Sequence, residues 1–169
     1  MIATSKYARE NNIPYFGICL GMQIAIIDIA RNVANLEGAD STEKDDTTKY
    51  PVIDLMENVE NIGGTLRLGN YDCKLLKNTK ARELYNSEII QERHRHRYEF
   101  NNKYREELEK AGVIFSGINP ELDLVEIIEY TGSDYFVACQ FHPEFKSRPN
   151  KVHPLFDGFI KASIKNKNE

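Results

Sequence analysis

The sequence predicts an α/β fold: an open, mostly parallel sheet flanked by helices. Two observations carry this expectation. Short apolar runs of strand length alternate with longer segments of helical length along most of the chain. The first apolar run also passes directly into an apolar helical segment through a cysteine with a glycine on either side.

Residues 13–19 form the first run and read as a buried strand, and residues 20–36 read as a largely buried helix. Residues 38–49 are polar and rich in Asp and Thr, so they read as a loop. Residues 50–56 are a strand limited by Pro51, and residues 57–64 are a loop ending in Gly63-Gly64. Residues 65–68 and 70–76 read as a hairpin around Gly69, followed by a short helix at 81–85. A brief strand at 98–100 leads into a charged helix at 101–111 that Gly112 closes. Three strands follow at 113–118, 124–130 and 135–141, separated by Asn119-Pro120 and Gly132-Ser133-Asp134. An amphipathic helix at 154–165 ends the pattern.

The chain has 169 residues, the length of one domain. Its 41% apolar and 28% charged residues are ordinary for a globular protein. A net charge of -4 argues against a nucleic-acid partner. No apolar run approaches the roughly 20 residues that span a bilayer, and the first residues lack a secretory h-region, so no membrane partner is expected. Three cysteines without knuckle spacing fit a reducing, cytoplasmic setting in which a thiol stays free.

Gly17-Ile18-Cys19-Leu20-Gly21 is a G-x-C-x-G at a strand-to-helix junction, the pattern of a nucleophile elbow with sulfur as the nucleophile. The helix start aims free N–H groups and a positive dipole end at Cys19, which favours thiolate, and the Leu20 N–H can serve as an oxyanion donor. Gln140-Phe141-His142-Pro143-Glu144 follows the last strand and puts His142 at its carboxyl end. A neutral imidazole there can take the thiol proton and return it to a leaving group. Glu144, two residues on, can accept from the other ring nitrogen and fix the tautomer. In Arg93-His94-Arg95-His96-Arg97, strand geometry would put both histidines on one face. With no third ligand nearby in sequence, no metal site is expected, and the segment reads as a charged connector that docks against a neighbouring domain. Cys73 and Cys139 read as structural, and His153 is assigned no chemistry.

Residues 17–21 with 141–144 resemble the class I, triad-type glutamine amidotransferases. Tyr7-Ala8-Arg9-Glu10-Asn11, Ala39-Asp40-Ser41-Thr42-Glu43, Gly63-Gly64-Thr65-Leu66-Arg67-Leu68-Gly69 and Phe136-Val137-Ala138-Cys139 are similar to the glutaminase domain of the CTP synthase family. Asp40 stands where many members have asparagine. The resemblance implies a flavodoxin-like fold and a catalytic triad of Cys19, His142 and Glu144. It implies that glutamine is bound by Gln23, by Glu43 at its ammonium and by Arg97 at its amino-acid end. An amino-acid substrate does need an anion for its ammonium and a cation for its carboxylate.

The implied activity is glutamine hydrolysis that supplies ammonia for the amination of UTP to CTP, in pyrimidine nucleotide biosynthesis. In the family, ATP, UTP and magnesium belong to a synthetase domain that has no counterpart here, and no cofactor is expected in this chain. Members also carry a Gly-Gly-Phe-Gly loop, a source of the second oxyanion donor, ahead of the stretch matching Tyr7 to Asn11. The resemblance therefore implies that residues 1–169 are a single partial domain that lacks that loop and the first strands of its sheet. The rival readings are an inactive fragment, and a γ-glutamyl hydrolase or cysteine peptidase using the same triad.

Overall fold

The computed structural model describes residues 1–55 and 66–168. The loop read at 57–64 and its Gly63-Gly64 pair lie outside the described residues. The chain runs α1 (Ile2–Glu10), β1 (Tyr15–Ile18), α2 (Leu20–Asn32), β2 (Asp40–Ser41), β3 (Pro51–Leu55), β4 (Arg67–Leu75) and α3 (Lys80–Tyr85). It continues through β5 (Ile89–His96), β6 (Tyr98–Phe100), a 3₁₀ turn (Asn102–Tyr104), α4 (Arg105–Lys110), β7 (Val113–Ile118), β8 (Val125–Tyr130) and β9 (Phe136–Cys139). A second 3₁₀ turn (Pro143–Phe145) and α5 (Pro154–Asn168) complete it.

Among the described residues a six-stranded sheet runs β1-β9-β8-β7-β4-β5, and a three-stranded sheet runs β2-β3-β6. The α/β layering is as expected, but the strand directions are mixed rather than mostly parallel. Among the described residues only β1–β9 and β2–β3 pair in parallel. The cause is connection length. The turns from β7 to β8 and from β8 to β9 are too short for a crossover, so these neighbours must be antiparallel. The pair that positions the site, β1–β9, is joined by most of the chain and is parallel, with Ile18 opposite Cys139.

The six-stranded sheet is covered on both faces. Along β9, Phe136 and Ala138 pack into the α2 cluster with Met22, Ile26 and Ile29. Val137 and Cys139 point the other way, into the α3–α5 cluster with Ala81, Phe141 and Leu155. A strand buried on both faces reads as an unbroken apolar run, which is why β9 was legible. Fully burying a side chain such as Phe136 contributes about 1.5–3 kcal/mol.

Two local expectations are overturned, and one helix lies where none was expected. The hairpin expected around Gly69 is one continuous strand. β4 pairs with β5 over eight residues from Arg67↔His96 to Lys74↔Ile89, and Gly69, at φ 115°, sits inside that ladder opposite His94. Cross-strand pairing overrides the local turn signal. Residues 93–97 are not a connector, because Arg93 to His96 belong to β5, with the two histidines turned inward and the arginines exposed. The helix α1 had no expectation behind it. It is held from outside its own sequence, since Arg9 and Ser5 both bond the fully buried Asp28 carboxylate of α2.

Candidate active site

Cys19 lies one residue past β1 and directly before α2, at φ 51° and ψ -104°. A non-glycine residue held there stores strain of order 1–3 kcal/mol, and the surroundings hold it. Its N–H donates to the Cys139 carbonyl at 2.8 Å, which extends the β1–β9 ladder by one step. Its carbonyl accepts from Met22 and Gln23 and starts the helix. The two flanking glycines serve differently. A Cβ on Gly17 would lie 2.7 Å from the Gly21 carbonyl carbon and 2.9 Å from the Ala138 Cβ, so the elbow closes only over a bare backbone. Gly21 has space, and its carbonyl accepts from the Tyr15 hydroxyl at 2.7 Å.

The sulfur is half-buried, and burial pushes the Cys19 thiol up from its ordinary pKa. The Leu20 N–H pulls it down, Glu99 and Glu144 push it further up, and the Gln140 amide, 3.6 Å from the sulfur, pulls it down. The net direction is upward, against the expectation that the helix start alone would favour thiolate. Desolvation outweighs the N–H groups here. At neutral pH the resting sulfur therefore keeps its proton and needs a base.

The candidate base, His142, stands three residues past β9. His142 Nδ1 and Glu144 Oε1 are 2.7 Å apart across Pro143. The carboxylate can only accept, so Nδ1 carries the proton and Nε2 keeps the lone pair that a general base requires. The His142 N–H donates to the Arg93 carbonyl at 2.8 Å, pinning the turn to β5. Cys19 and His142 thus follow the carboxyl ends of two paired parallel strands.

Beside the elbow lies a cavity of about 280 Å³, lined among others by Leu20, Gln23, Asp40, Ser41, Glu43 and Lys44. The structure thereby brings together three of the residues singled out in sequence: Leu20, Gln23 and Glu43. Gln23 Nε2 donates to the Tyr98 carbonyl at 3.0 Å and to Gln140 Oε1 at 3.2 Å, so both its protons are engaged and its carbonyl oxygen is left for a ligand. Asp40 is bonded by Arg31 at 2.7 Å and Lys44 at 2.8 Å. Burial pushes its carboxyl up, but Lys44, the Ser41 N–H and Arg31 together hold it below its ordinary pKa. Asp40 is spent on its own cations, whereas no ion pair among the described residues engages the exposed Glu43. Arg97 is exposed between β5 and β6 and does not line the cavity. It adjoins Tyr98, whose carbonyl holds Gln23.

Sequence reasoning missed two buried networks. Arg67 bonds Glu99 at 3.0 Å and Glu126 at 2.8 Å. His94 and His96 share a 2.8 Å contact and face Glu126 and Glu99. Burial and the Arg67 charge push His94 down to about 2 and His96 to about 3. Burial pushes both carboxyls up against the pull of Arg67, because one guanidinium offsets two acids. In the other network, Glu92 Oε1 takes the Tyr85 hydroxyl at 2.9 Å and lies 3.0 Å from His153 Nε2, joining β5, α3 and the start of α5. The alternation of polar residues along 92–96 was the available signal. The sequence places the two histidines on one face, but the acids and the arginine that meet them there come from β4, β6 and β8.

A family profile described as "Glutamine amidotransferase class-I" matches residues 1–162. The chain belongs to this family. CTP synthase of Bacillus velezensis (strain DSM 23117 / BGSC 10A6 / LMG 26770 / FZB42) is 61% identical over 166 residues, 96% of this chain and 31% of that protein. CTP synthase of Bacillus subtilis (strain 168) is 58% identical over 171 residues, 99% of this chain and 32% of that protein. The chain thus spans about a third of the length of these curated relatives. The solved glutaminase domain of Trypanosoma brucei CTPS, with bound acivicin, superposes with a TM-score of 0.92 at 38% identity, covering 97% of this chain and 65% of that one. Among the described residues no helix is long and apolar enough to cross a membrane.

Proposed function

We propose that this chain hydrolyses glutamine and that the ammonia serves the amination of UTP to CTP. The observation that carries this reading is the 2.7 Å His142–Glu144 contact, which leaves a ring nitrogen free just past β9, the strand that pairs with β1 ahead of the Cys19 elbow. His142 takes the thiol proton, and the sulfur attacks the side-chain amide carbon of glutamine. The Leu20 N–H supports the oxyanion, and His142 returns the proton as ammonia leaves. Water, deprotonated by the same nitrogen, then releases glutamate from the thioester. Glu43, which no ion pair among the described residues engages, suits the substrate ammonium, while a role for Arg97 at the carboxylate rests on the family resemblance, since Arg97 lies outside the cavity wall. No cofactor enters this chemistry.

The identity to CTP synthases supports a synthetase domain as the partner that receives the ammonia, and as the holder of ATP, UTP and magnesium. It also supports a cytoplasmic location. The γ-glutamyl hydrolase and peptidase readings draw nothing from relatives at 58–61% identity that carry the CTP synthase name. The test is glutamate release from glutamine by this chain and by Cys19→Ala. Release that falls to background in Cys19→Ala is expected. Equal release by both would overturn the reading.

A further inference from the structure

We propose that Gln140 is a positioning residue of this site, holding the Cys19 sulfur and the cavity wall at Gln23 through one carboxamide. Gln140 is fully buried just past β9, and its N–H donates to the Glu126 carbonyl at 2.9 Å. Its side chain faces the sulfur with Nε2 at 3.6 Å and accepts from Gln23 with Oε1 at 3.2 Å. The triad does not use it.

The direction of this chain of bonds is set by the backbone. The Tyr98 carbonyl can only accept, so the Gln23 group 3.0 Å from it must be the NH₂. The second proton of that NH₂ then requires an acceptor from Gln140, at 3.2 Å. With Oε1 committed to Gln23, the Gln140 NH₂ has to point at Cys19. Turning either amide over would set donor against donor or acceptor against acceptor. The fold therefore delivers one N–H donor to the sulfur, and the bond strengthens when the sulfur becomes an anion. The other groups acting on the thiol are the Leu20 N–H from α2, which favours the anion, and Glu99 of β6 and Glu144 of the turn after β9, which oppose it. His142 lies in that same turn. Among the described residues, Gln140 and Leu20 are the donors set against two acids and burial.

The same geometry links the thiol to the substrate. Gln23 lines the cavity beside the elbow with its carbonyl oxygen unspent, so a ligand donor there polarises the amide that holds Gln140 in place. Gln140 thereby ties occupancy of the cavity to the readiness of the sulfur.

This inference rests on Cys19 being the nucleophile, and its test reads the thiol without turnover. The pH dependence of iodoacetamide alkylation at Cys19, followed by mass spectrometry of its peptide, gives the thiol midpoint in wild type, Gln140→Met, Gln140→Glu and Gln23→Met. Loss of the donor in Gln140→Met should raise the midpoint by roughly one pH unit, about tenfold less thiolate at a fixed lower pH. Gln140→Glu should raise it further, and Gln23→Met should raise it less, because only the alignment is lost. Gln140→Glu has the native shape and carries the test if Gln140→Met does not fold. Unchanged midpoints in the folded Gln140 variants would overturn the assignment. A wild-type chain without glutaminase activity would overturn the proposed function and leave the midpoint comparison standing.

Discussion

His142 meets Glu144 at 2.7 Å with 22% and 47% of the two side chains exposed, whereas His94 faces Glu126 at 3.2 Å with neither exposed at all. Both are imidazole–carboxylate arrangements, and they differ in what else surrounds them. His94 lies beside the Arg67 guanidinium and a second imidazole, and burial with those neighbours keeps it uncharged down to about 2. It can neither gain a proton at ordinary pH nor exchange one with water. His142 has one anion, water access and a free Nε2, so it can cycle a proton. The same residue types give a structural clamp where they are desolvated beside a cation, and leave a ring nitrogen open to solvent, as the proposed base requires, where one partner is exposed.

The sharpest way to break this contrast is to remove the cation. Arg67→Met leaves Glu99 and Glu126 buried without their positive partner, which should cost about 3–5 kcal/mol in urea unfolding near neutral pH. That cost should grow as pH rises through about 7 to 8 and level off below it, because acids whose folded pKa is raised are stable once protonated and lose stability as pH rises through that value. A loss under about 1 kcal/mol would mean the network is not the clamp described.

Glu144→Gln should act the other way. Stability should hold within about 1 kcal/mol, since a half-exposed pair contributes little. The glutaminase kcat/KM should fall roughly 100-fold, because the amide no longer fixes the charged ring. A variant that loses stability but keeps its rate would reverse the roles assigned to the two regions.

The effect smallest near neutral pH concerns acid. His94 has a folded pKa far below its unfolded value of about 6.5, so its neutral burial supports the fold above that pH and is lost as pH drops toward about 2. His94→Gln should therefore regain about 1.4 kcal/mol relative to wild type for each pH unit below about 6. Parallel pH–stability curves for the two proteins would contradict the neutral assignment.

The candidate site is more legible in the sequence than the framework is. Cys19 with its glycines, and His142 with Glu144, are local strings, so the roles proposed for them rest on spacing visible in the sequence. The strands of the last third were legible because burial on both faces makes them apolar throughout. What stayed hidden depends on partners far along the chain. Arg67 reads as a surface charge until β6 and β8 bring Glu99 and Glu126 to it. Gln140 reads as a spacer before His142 until Gln23 and the sulfur are seen on either side of it. The helix α1 has a weakly apolar face and is held by Asp28, 19 residues from Arg9. The parallel directions expected of the sheet gave way to short turns between β7, β8 and β9.

The most direct measurement is covalent labelling of the chain by a thiol-reactive glutamine analogue, with and without glutamine. The account predicts one adduct, on Cys19 and not on the buried Cys73 or Cys139, formed several-fold more slowly when glutamine is present. Equal labelling with and without glutamine, or an adduct on another cysteine, would contradict it.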